Sequence, residues 1–305
     1  MKKLRTIAAG AVVALACVLP ARSAEIAVLK STDSPAWRPA LDALKRGLST
    51  HSVSEVDLRG DKSEADRVVG LLRGKAAVIV TLGPLAAQAA QNGAPEVPLV
   101  ACMLLDPTRS GVQAAPGVTG VMFQTPVKNQ LAAFRMVNPR GVRIGVIYNA
   151  DNTGRLVQEA LKGAPVVRLT IVEKAIVSDK DVPQALRALL QGANAVDALW
   201  LPPDPLLLGE EARRFLLTET MKAGKPIYTF SAALVAEGAL VSNGVDMASI
   251  GEQAAELANR LAGTEKAAKI EFLIPRAELV INKKIADKLK IEIPADALKA
   301  AVKVY

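Results

Sequence analysis

Histidine, cysteine and aromatic residues are scarce in this chain of 305 residues, and their scarcity excludes several kinds of chemistry. The sequence has one histidine, two cysteines and 3% aromatic residues. Only Cys102 follows residue 24, so a chain without its leader has neither an internal disulfide nor a Cys-x-x-Cys pair for zinc or redox chemistry. Cys102 lies in the apolar run VPLVACMLL, which predicts a small buried side chain rather than a reactive thiol.

Catalytic and nucleotide-binding motifs are missing as well. There is no Gly-x-Ser-x-Gly elbow, and the one histidine, His51, lies at the sheet edge opposite to the predicted ligand edge. The stretch TLGPLAA, 81–87, has a single glycine and no Lys-Ser/Thr, and the first strand is not followed by a three-glycine dinucleotide fingerprint. We therefore expect a protein that is not an enzyme and that holds no metal, nucleotide or other cofactor.

The first 24 residues have the pattern of an export signal. A basic MKKLR is followed by the apolar TIAAGAVVALACVL and by PARSA, whose small residues suit a signal peptidase. We predict a signal peptide over 1–24, cleaved after Ala24 or alternatively after Ala21 or Ser23, and a periplasmic protein. A membrane anchor and a lipoprotein attached at Cys17 are the alternatives. Cleavage removes half of the +8 formal charge, and the remaining basic residues are scattered among acids, which argues against a nucleic-acid partner.

One pattern repeats along the rest of the chain. Apolar strands such as EIAVLK and VPLVACMLL alternate with helical segments, and a second series of the same kind starts after residue 141. This alternation is typical of βαβ units and parallel sheets. We predict an α/β fold of two doubly wound parallel-sheet lobes joined by crossover hinges. The first lobe would comprise 25–139 and return at about 243–275, and the second would comprise 140–242 and about 276–305.

The turns that follow the predicted strands form the candidate ligand site. In open α/β sheets, ligands bind beyond the carboxyl ends of the strands. If the two lobes face each other along those ends, one cleft is lined by the turns at 31–35, 83–85, 106–110, 149–154, 202–206 and 230–232.

The turns of the first lobe offer backbone groups to an anion. Gly83, Pro84 and Leu85 open a predicted helix, and the N-terminus of a helix favours negative charge. We expect the backbone there, together with the backbone from Asp106 to Thr108, to hold a carboxylate. The alternative for 83–85 is a helix start without a ligand.

The turns of the second lobe offer polar side chains. We expect Asn149, Asn152 and Thr153 to meet the same carboxylate and Asp204, alone between prolines in LPPDPLLL, to bind an amine. Capping of the following helices is the alternative, although Asn149 is the residue with the weakest capping rationale. The complete predicted set is Trp37, Gly83, Pro84, Leu85, Asp106, Thr108, Asn149, Asn152, Thr153, Asp204, Phe230 and Ser231.

The end of the chain resembles a known family. GVDMASIGEQAAELANRLAGT followed by ELVINKKIADKLKIEIP is similar to the end of the TrpX-like ABC-transporter substrate-binding proteins. Shorter motifs occur in the order found in that family: DP, GVTGV, IGVIYN, PPD and EGAL. The resemblance implies a type I periplasmic-binding-protein fold whose lobes close on a small solute, with aromatic amino acids as the ligands of its named members.

The resemblance also bears on individual turns and on partners. Gly83 stands where the family tends to have a hydroxyl residue, Asn152-Thr153 stands where it often has Asn-Ser, and Pro205 replaces a usual polar residue. We expect a monomeric binding protein that delivers a small carboxylate-bearing solute to the membrane permease and ATPase of an ABC importer. A ligand-binding sensor module and a periplasmic enzyme on the same fold are the alternatives.

Overall fold

The computed structural model of the protein describes residues 24–263 and 269–305. The predicted signal peptide, except for Ala24, and Cys17 lie outside these residues. The strands are β1 (Glu25–Lys30), β2 (Ser52–Asp57), β3 (Val78–Leu82), β4 (Leu99–Leu104), β5 (Val118–Met122), β6 (Arg143–Asn149), β7 (Thr170–Ile176), β8 (Ala198–Leu201), β9 (Ile227–Thr229), β10 (Val241–Val245), β11 (Ala277–Ile281) and β12 (Lys303–Val304).

Helices separate most of these strands. They are α1 (Arg38–Gly47), α2 (Lys62–Leu72), α3 (Pro84–Gly93), α4 (Val127–Val137), α5 (Ala150–Gly163), α6 (Val182–Leu190), α7 (Pro205–Leu208), α8 (Glu210–Lys222), α9 (Ala232–Glu237), α10 (Met247–Ala262), α11 (Lys283–Lys288) and α12 (Ala295–Ala300). Short 3₁₀ turns occupy Pro35–Trp37, Ala164–Val167 and Asp179–Asp181. Within the described residues, no helix is both long and apolar enough to cross a membrane.

The first lobe is built on a parallel sheet of order β2-β1-β3-β4-β5. Every residue of β3 and β4 is buried, as expected for central parallel strands that are covered on both faces. Cys102 lies in β4, where burial raises the pKa of its thiol to about 12. The prediction of a small buried side chain at this position is confirmed.

The second lobe is built on the sheet β12-β11-β10-β9-β8-β6-β7. Its pairs are parallel except for β10 and β11, which run antiparallel. Trp200 and Tyr228 are fully buried at its centre, and the ring of Tyr228 lies 4.9 Å from that of Phe134. The predicted fold of two doubly wound lobes is therefore confirmed.

The chain crosses between the lobes at 123–126, at Asp246 and at 274–276. After the second crossing, α10 returns to the first lobe and packs on α1, and Gly251 makes the contact possible because a Cβ there would lie 1.9 Å from the Ala40 carbonyl oxygen. We expected 127–137 in the first lobe. The buried face of α4 lies instead in the core of the second sheet.

Candidate functional site

Two of the cavities in the structure lie between the lobes. The first, of about 350 Å³, is called here the arginine cavity because Arg109 of the first lobe and Arg155 of the second both line it. Asp106, Asn152 and Thr153 from the predicted set also line it. The remaining lining residues are Leu105, Ser110, Gln124, Leu156, Glu159 and Pro203.

The second, of about 380 Å³, is called the hinge cavity because residues 123–125 of the first crossing line it, together with Val245 and Met247 on either side of Asp246. It shares Leu105, Gln124, Leu156 and Pro203 with the arginine cavity, so the two cavities adjoin. Phe230 and Ser231 from the predicted set line it. The other lining residues are Phe123, Thr125, Gln130, Ala232, Ser242, Asn243, Gly244, Val245, Met247 and Glu278.

The hinge cavity contains buried polar atoms without partners. Gln130 is 4% exposed and Ser242 is 0% exposed. The Gln130 amide nitrogen donates to the Thr125 carbonyl at 3.0 Å, but its Oε1 has no hydrogen-bond partner among the described residues, and neither does Ser242 Oγ. Buried polar groups are normally hydrogen-bonded, so two unpartnered atoms in one cavity indicate a place for a polar ligand or water.

Glu278 is the charged residue of the hinge cavity. It lies on β11 opposite Gly244 of β10. Burial, and secondarily the charge of Asp246, raise the pKa of its carboxyl above the ordinary value. The nearby Arg276 does not neutralise it, because that guanidinium binds Asp246 and Glu252.

The lobes are joined across the arginine cavity by an ion pair. Arg155 Nη1 on α5 lies 2.8 Å from Asp106 Oδ2, and the same carboxylate accepts the backbone N–H of Arg109 at 3.2 Å. The Arg155 side chain is 56% exposed, so solvent screens the attraction. This contact connects the loop after β4 with the first turns of α5.

The turn at 83–85 lines neither cavity. The Ala86 N–H donates to Ser31 Oγ at 3.0 Å, the Gly83 N–H donates to the Cys102 carbonyl, and Pro84 has no N–H. Among the described residues, these bonds leave the Leu85 amide without a partner at this turn. The expected anion site is therefore reduced to one amide.

Trp37 lies beside this turn rather than in the cavities. A Cβ at Gly83 would lie 3.1 Å from Trp37 Cη2 and 2.7 Å from Ser31 Oγ. The φ of Gly83 is +95° and its ψ is 166°, a region that is essentially restricted to glycine. Glycine at this position therefore has a local steric reason that does not involve a ligand.

The predicted residues of the second lobe bind one another. Asp204 is 0% exposed and accepts the Asn149 N–H at 2.7 Å and the Thr153 hydroxyl at 2.6 Å through Oδ2. Its Oδ1 accepts the Leu206 N–H at 3.1 Å and the Asn152 amide at 3.3 Å. We expected a carboxylate that is free to bind an amine, but Asp204 accepts hydrogen bonds from four groups of its own lobe. It caps α7 and fixes the N-terminus of α5 through Asn149, Asn152 and Thr153.

Asn149 is the residue that caps α5. Its Oδ1 accepts the backbone N–H groups of Asp151 and Asn152, and its amide donates to the Ile176 carbonyl. Capping was the alternative to ligand binding, and the cap is Asn149, the residue with the weakest capping rationale in the sequence, rather than Asn152 or Thr153. Asn152 is exposed at the arginine cavity, whereas Thr108 and Asn149 line neither cavity.

Several cavity residues were not predicted from the sequence. Gln130, Ser242 and Glu278 lie on α4, β10 and β11, which adjoin the crossings between the lobes, rather than in strand-end turns. A signal was available: Ser-Asn interrupts the apolar strand ALVSNGV, and an acid interrupts AELVI. Within residues 24–263 and 269–305, no group of three or more His, Cys, Asp or Glu could hold a metal ion. His51 accepts the Ala24 N–H at 3.3 Å, away from both cavities.

Two α/β lobes with an inter-lobe cavity define a two-lobed binding protein. A family model described as ABC transporter substrate binding protein matches residues 25–305, and the chain belongs to this family. The family indicated by the sequence motifs is thus confirmed. Members of this family bind small-molecule substrates for transporters.

Individual relatives agree with this assignment. A tyrosine-binding protein of Clostridioides difficile strain R20291 is 26% identical over 232 residues, which cover 73% of this chain and 66% of the relative. The match thus spans just under two-thirds of the relative's length.

Solved structures show the same fold. An ABC domain of Streptococcus pneumoniae in complex with L-Trp has 24% identity and a TM-score of 0.63, covering 93% of this chain and 100% of its own. A ligand-free, open substrate-binding protein with adhesive properties from Clostridium difficile has 19% identity and a TM-score of 0.79, covering 92% and 99%. A glycerol-bound solute-binding protein of Mycobacterium smegmatis has 18% identity and a TM-score of 0.52, covering 84% and 93%. These neighbours share the type I periplasmic-binding-protein fold.

Proposed function

We propose that this protein is an exported, monomeric receptor that closes its two lobes on a small carboxylate-bearing solute and delivers it to the permease and ATPase of an ABC importer. The solute is an amino acid or a related compound. The observation that supports this most strongly is the pair of adjoining inter-lobe cavities, of which the hinge cavity combines apolar walls with buried polar atoms that have no partner among the described residues. Small-ligand sites have this character, with a few polar groups fixing the orientation.

The carboxylate end of the solute is assigned to the arginine cavity. Arg109 and Arg155 supply guanidinium groups, which bind carboxylates in a bidentate fashion, and the exposed Asn152 supplies an amide. Arg155 is already ion-paired with Asp106, so the carboxylate of the solute would compete with Asp106 for the guanidinium or bind beside Asp106. Trp37 and the Leu85 amide would reach the solute only after further movement of the lobes.

The apolar part of the solute is assigned to the walls of the hinge cavity. Phe123, Phe230 and Met247 lie there, together with Leu105 and Leu156. The relatives that bind tyrosine and L-Trp support an amino acid with an aromatic side chain as the first candidate. Closure would remove these side chains and the ligand from water together.

Thermal unfolding in the presence of each proteinogenic L-amino acid tests the proposal. A true ligand at about 100 times its dissociation constant adds about 2.7 kcal/mol of stability, which raises the melting temperature by several degrees. Small-angle scattering should show a smaller radius of gyration with that ligand than without it. The control is the same amino acid with its carboxylate amidated, which should bind much more weakly. Absence of any shift, both with amino acids and with the solute that co-purifies with the native protein, contradicts the proposal.

A further inference from the structure

We propose that Glu278, with Ser242 beside it on β10, forms a subsite in the hinge cavity that recognises a cationic amine of the solute. This inference rests on the proposed function and names the chemistry of one end of its ligand. It assigns the amine to strands β10 and β11, next to the crossings, and not to Asp204.

The sheet register places Glu278 and Ser242 on one face of the sheet. In the antiparallel pair, Gly244 lies opposite Glu278 and Ser242 lies opposite Val280. Residues two apart on a strand face the same way, and directly paired residues share a face, so Ser242 and Glu278 are diagonal neighbours on it. Gly244 has no side chain, which leaves the position directly across from Glu278 uncovered.

The hydrogen-bonding needs of Glu278 and Ser242 are complementary to an ammonium. Ser242 Oγ can accept through its lone pairs, and it is buried without a partner among the described residues. Glu278 adds a carboxylate, so a primary amine would find two acceptors on one face of the β10–β11 pair. Gln130 does not belong to this group, because α4 packs with Val241, Leu279 and Ile281 on the opposite face of the sheet.

The charge balance of the hinge cavity also favours a cation. Its lining residues include one acid, Glu278, and no lysine, arginine or histidine. The nearest charged groups on the crossing segments are Asp246, which repels a second negative charge, and Arg276, which is held by Asp246 and Glu252. A partly buried carboxylate without a cation is costly, and a ligand ammonium would offset that cost.

The position of the adjoining arginine cavity determines the rest of the ligand. Arg109 and Arg155 lie on the far side of the shared residues Leu105, Gln124 and Leu156. One molecule with an amine at Glu278, an apolar body between and a carboxylate at the arginines would satisfy both cavities. The inferred substrate class is therefore a zwitterion with an apolar side chain.

The test is a binding cycle with matched probes. L-phenylalanine is compared with phenethylamine, which lacks the carboxylate, and with hydrocinnamate, which lacks the amine; L-leucine, isopentylamine and isocaproate form a second series. Each is titrated by calorimetry against the full protein, Glu278→Gln and the control Glu271→Gln, which changes an exposed acid outside both cavities.

The expected result is specific to the amine. Glu278→Gln should weaken at least one amine-bearing probe by 30-fold or more, on the order expected when a charged partner is removed. The same variant should leave the amine-free acids within about twofold, and the free variant should be at least as stable as the original because it lacks the uncompensated charge. Glu271→Gln should change neither binding nor stability.

The contrary outcomes separate this inference from the proposed function. Equal binding of an amine-bearing probe to Glu278→Gln and to the original protein overturns the inference and leaves the receptor function standing. Binding of the amine-free acids alone does the same. If none of the six probes binds, the inference fails, and the proposed function is then judged by the separate amino-acid panel. If Glu278→Gln is unstable, Glu278→Ala, which also removes the charge, takes its place with the same expectations for probe selectivity.

Discussion

Polar groups in the strand-end turns differ from polar groups near the crossings between the lobes in whether they have hydrogen-bond partners within their own lobe. In the turns, Ser31 binds the first turn of α3, and Asp204 accepts four hydrogen bonds from its own lobe. On the strands and the helix next to the crossings, Ser242, Gln130 and Glu278 line the hinge cavity, and Ser242 Oγ and Gln130 Oε1 have no hydrogen-bond partner among the described residues. The polar groups of the turns thus stabilise their own lobe, whereas polar groups near the crossings remain able to bind a ligand.

This difference has a physical basis. Helix N-termini and proline-flanked turns leave backbone N–H groups unpaired, and nearby side-chain oxygens satisfy them at once. The strands next to the crossings pair with their neighbours through backbone groups, so a polar side chain on them that faces the cleft has no local donor or acceptor. A ligand site in this protein is therefore expected where the chain changes lobes.

The largest predicted effect concerns Asp204. Asp204→Asn puts an NH₂ group among donors, so we expect a loss of about 3 kcal/mol in the free energy of unfolding, measured in urea. The exposed Asp151→Asn is the control and should stay within about 0.5 kcal/mol. If Asp204→Asn instead weakened ligand binding and left stability unchanged, the turn would be a binding site. That result would contradict the conclusion that polar groups in the strand-end turns stabilise their own lobe.

Gly83 offers the next largest effect. Gly83→Ala combines a glycine-only backbone conformation with a Cβ that lies 2.7 Å from Ser31 Oγ, so we expect a loss of about 1–3 kcal/mol in stability. Gly74→Ala is the matched control, because Gly74 also has a positive φ but has open space around it. Equal losses in the two variants would show that the packing against Ser31 and Trp37 contributes nothing.

The inter-lobe ion pair should affect shape more than stability. Asp106→Asn should change the free energy of unfolding by less than about 1 kcal/mol, because the Arg155 partner is more than half exposed. The same variant should enlarge the radius of gyration of the ligand-free protein in low salt, measured by small-angle scattering. Glu210→Gln, which removes an exposed pair within α8, is the control. An unchanged radius would mean that other contacts hold the lobes at this separation.

The smallest predicted effect is a pH dependence that belongs to Glu278. The raised pKa means that the folded protein binds this proton more tightly than the unfolded chain does. The resulting stability is complete below the ordinary glutamate pKa and is lost as the pH rises through the raised value. The melting temperature of the original protein minus that of Glu278→Gln should therefore fall across that window. A flat difference would place Glu278 in an ordinary solvated environment.

The fold and the family followed from local sequence, whereas most of the site did not. The alternation of apolar strands and helices in the two series predicted both sheets, because each central parallel strand must be apolar on both faces. Some of the predicted residues line the inter-lobe cavities: Asp106, Asn152 and Thr153 line the arginine cavity, and Phe230 and Ser231 line the hinge cavity. These residues follow strands directly, which is where the rule for open sheets looks for ligands.

The polar residues with the strongest sequence signals were those with internal partners. Asn149 and Asp204 are helix caps in different segments, and only the approach of β8 to β6 brings Asp204 to the Asn149 N–H. For Ser242 and Glu278 the sequence shows a polar residue that interrupts an apolar strand, but neither there nor at Gln130 does it show which hydrogen-bond partners are missing. The sequence by itself determined the two-lobed architecture and the family, because burial periodicity and motifs are local properties of the chain. Only the tertiary structure decided which polar groups remain free, because a hydrogen-bond partner is set by distance in space and not by position along the chain.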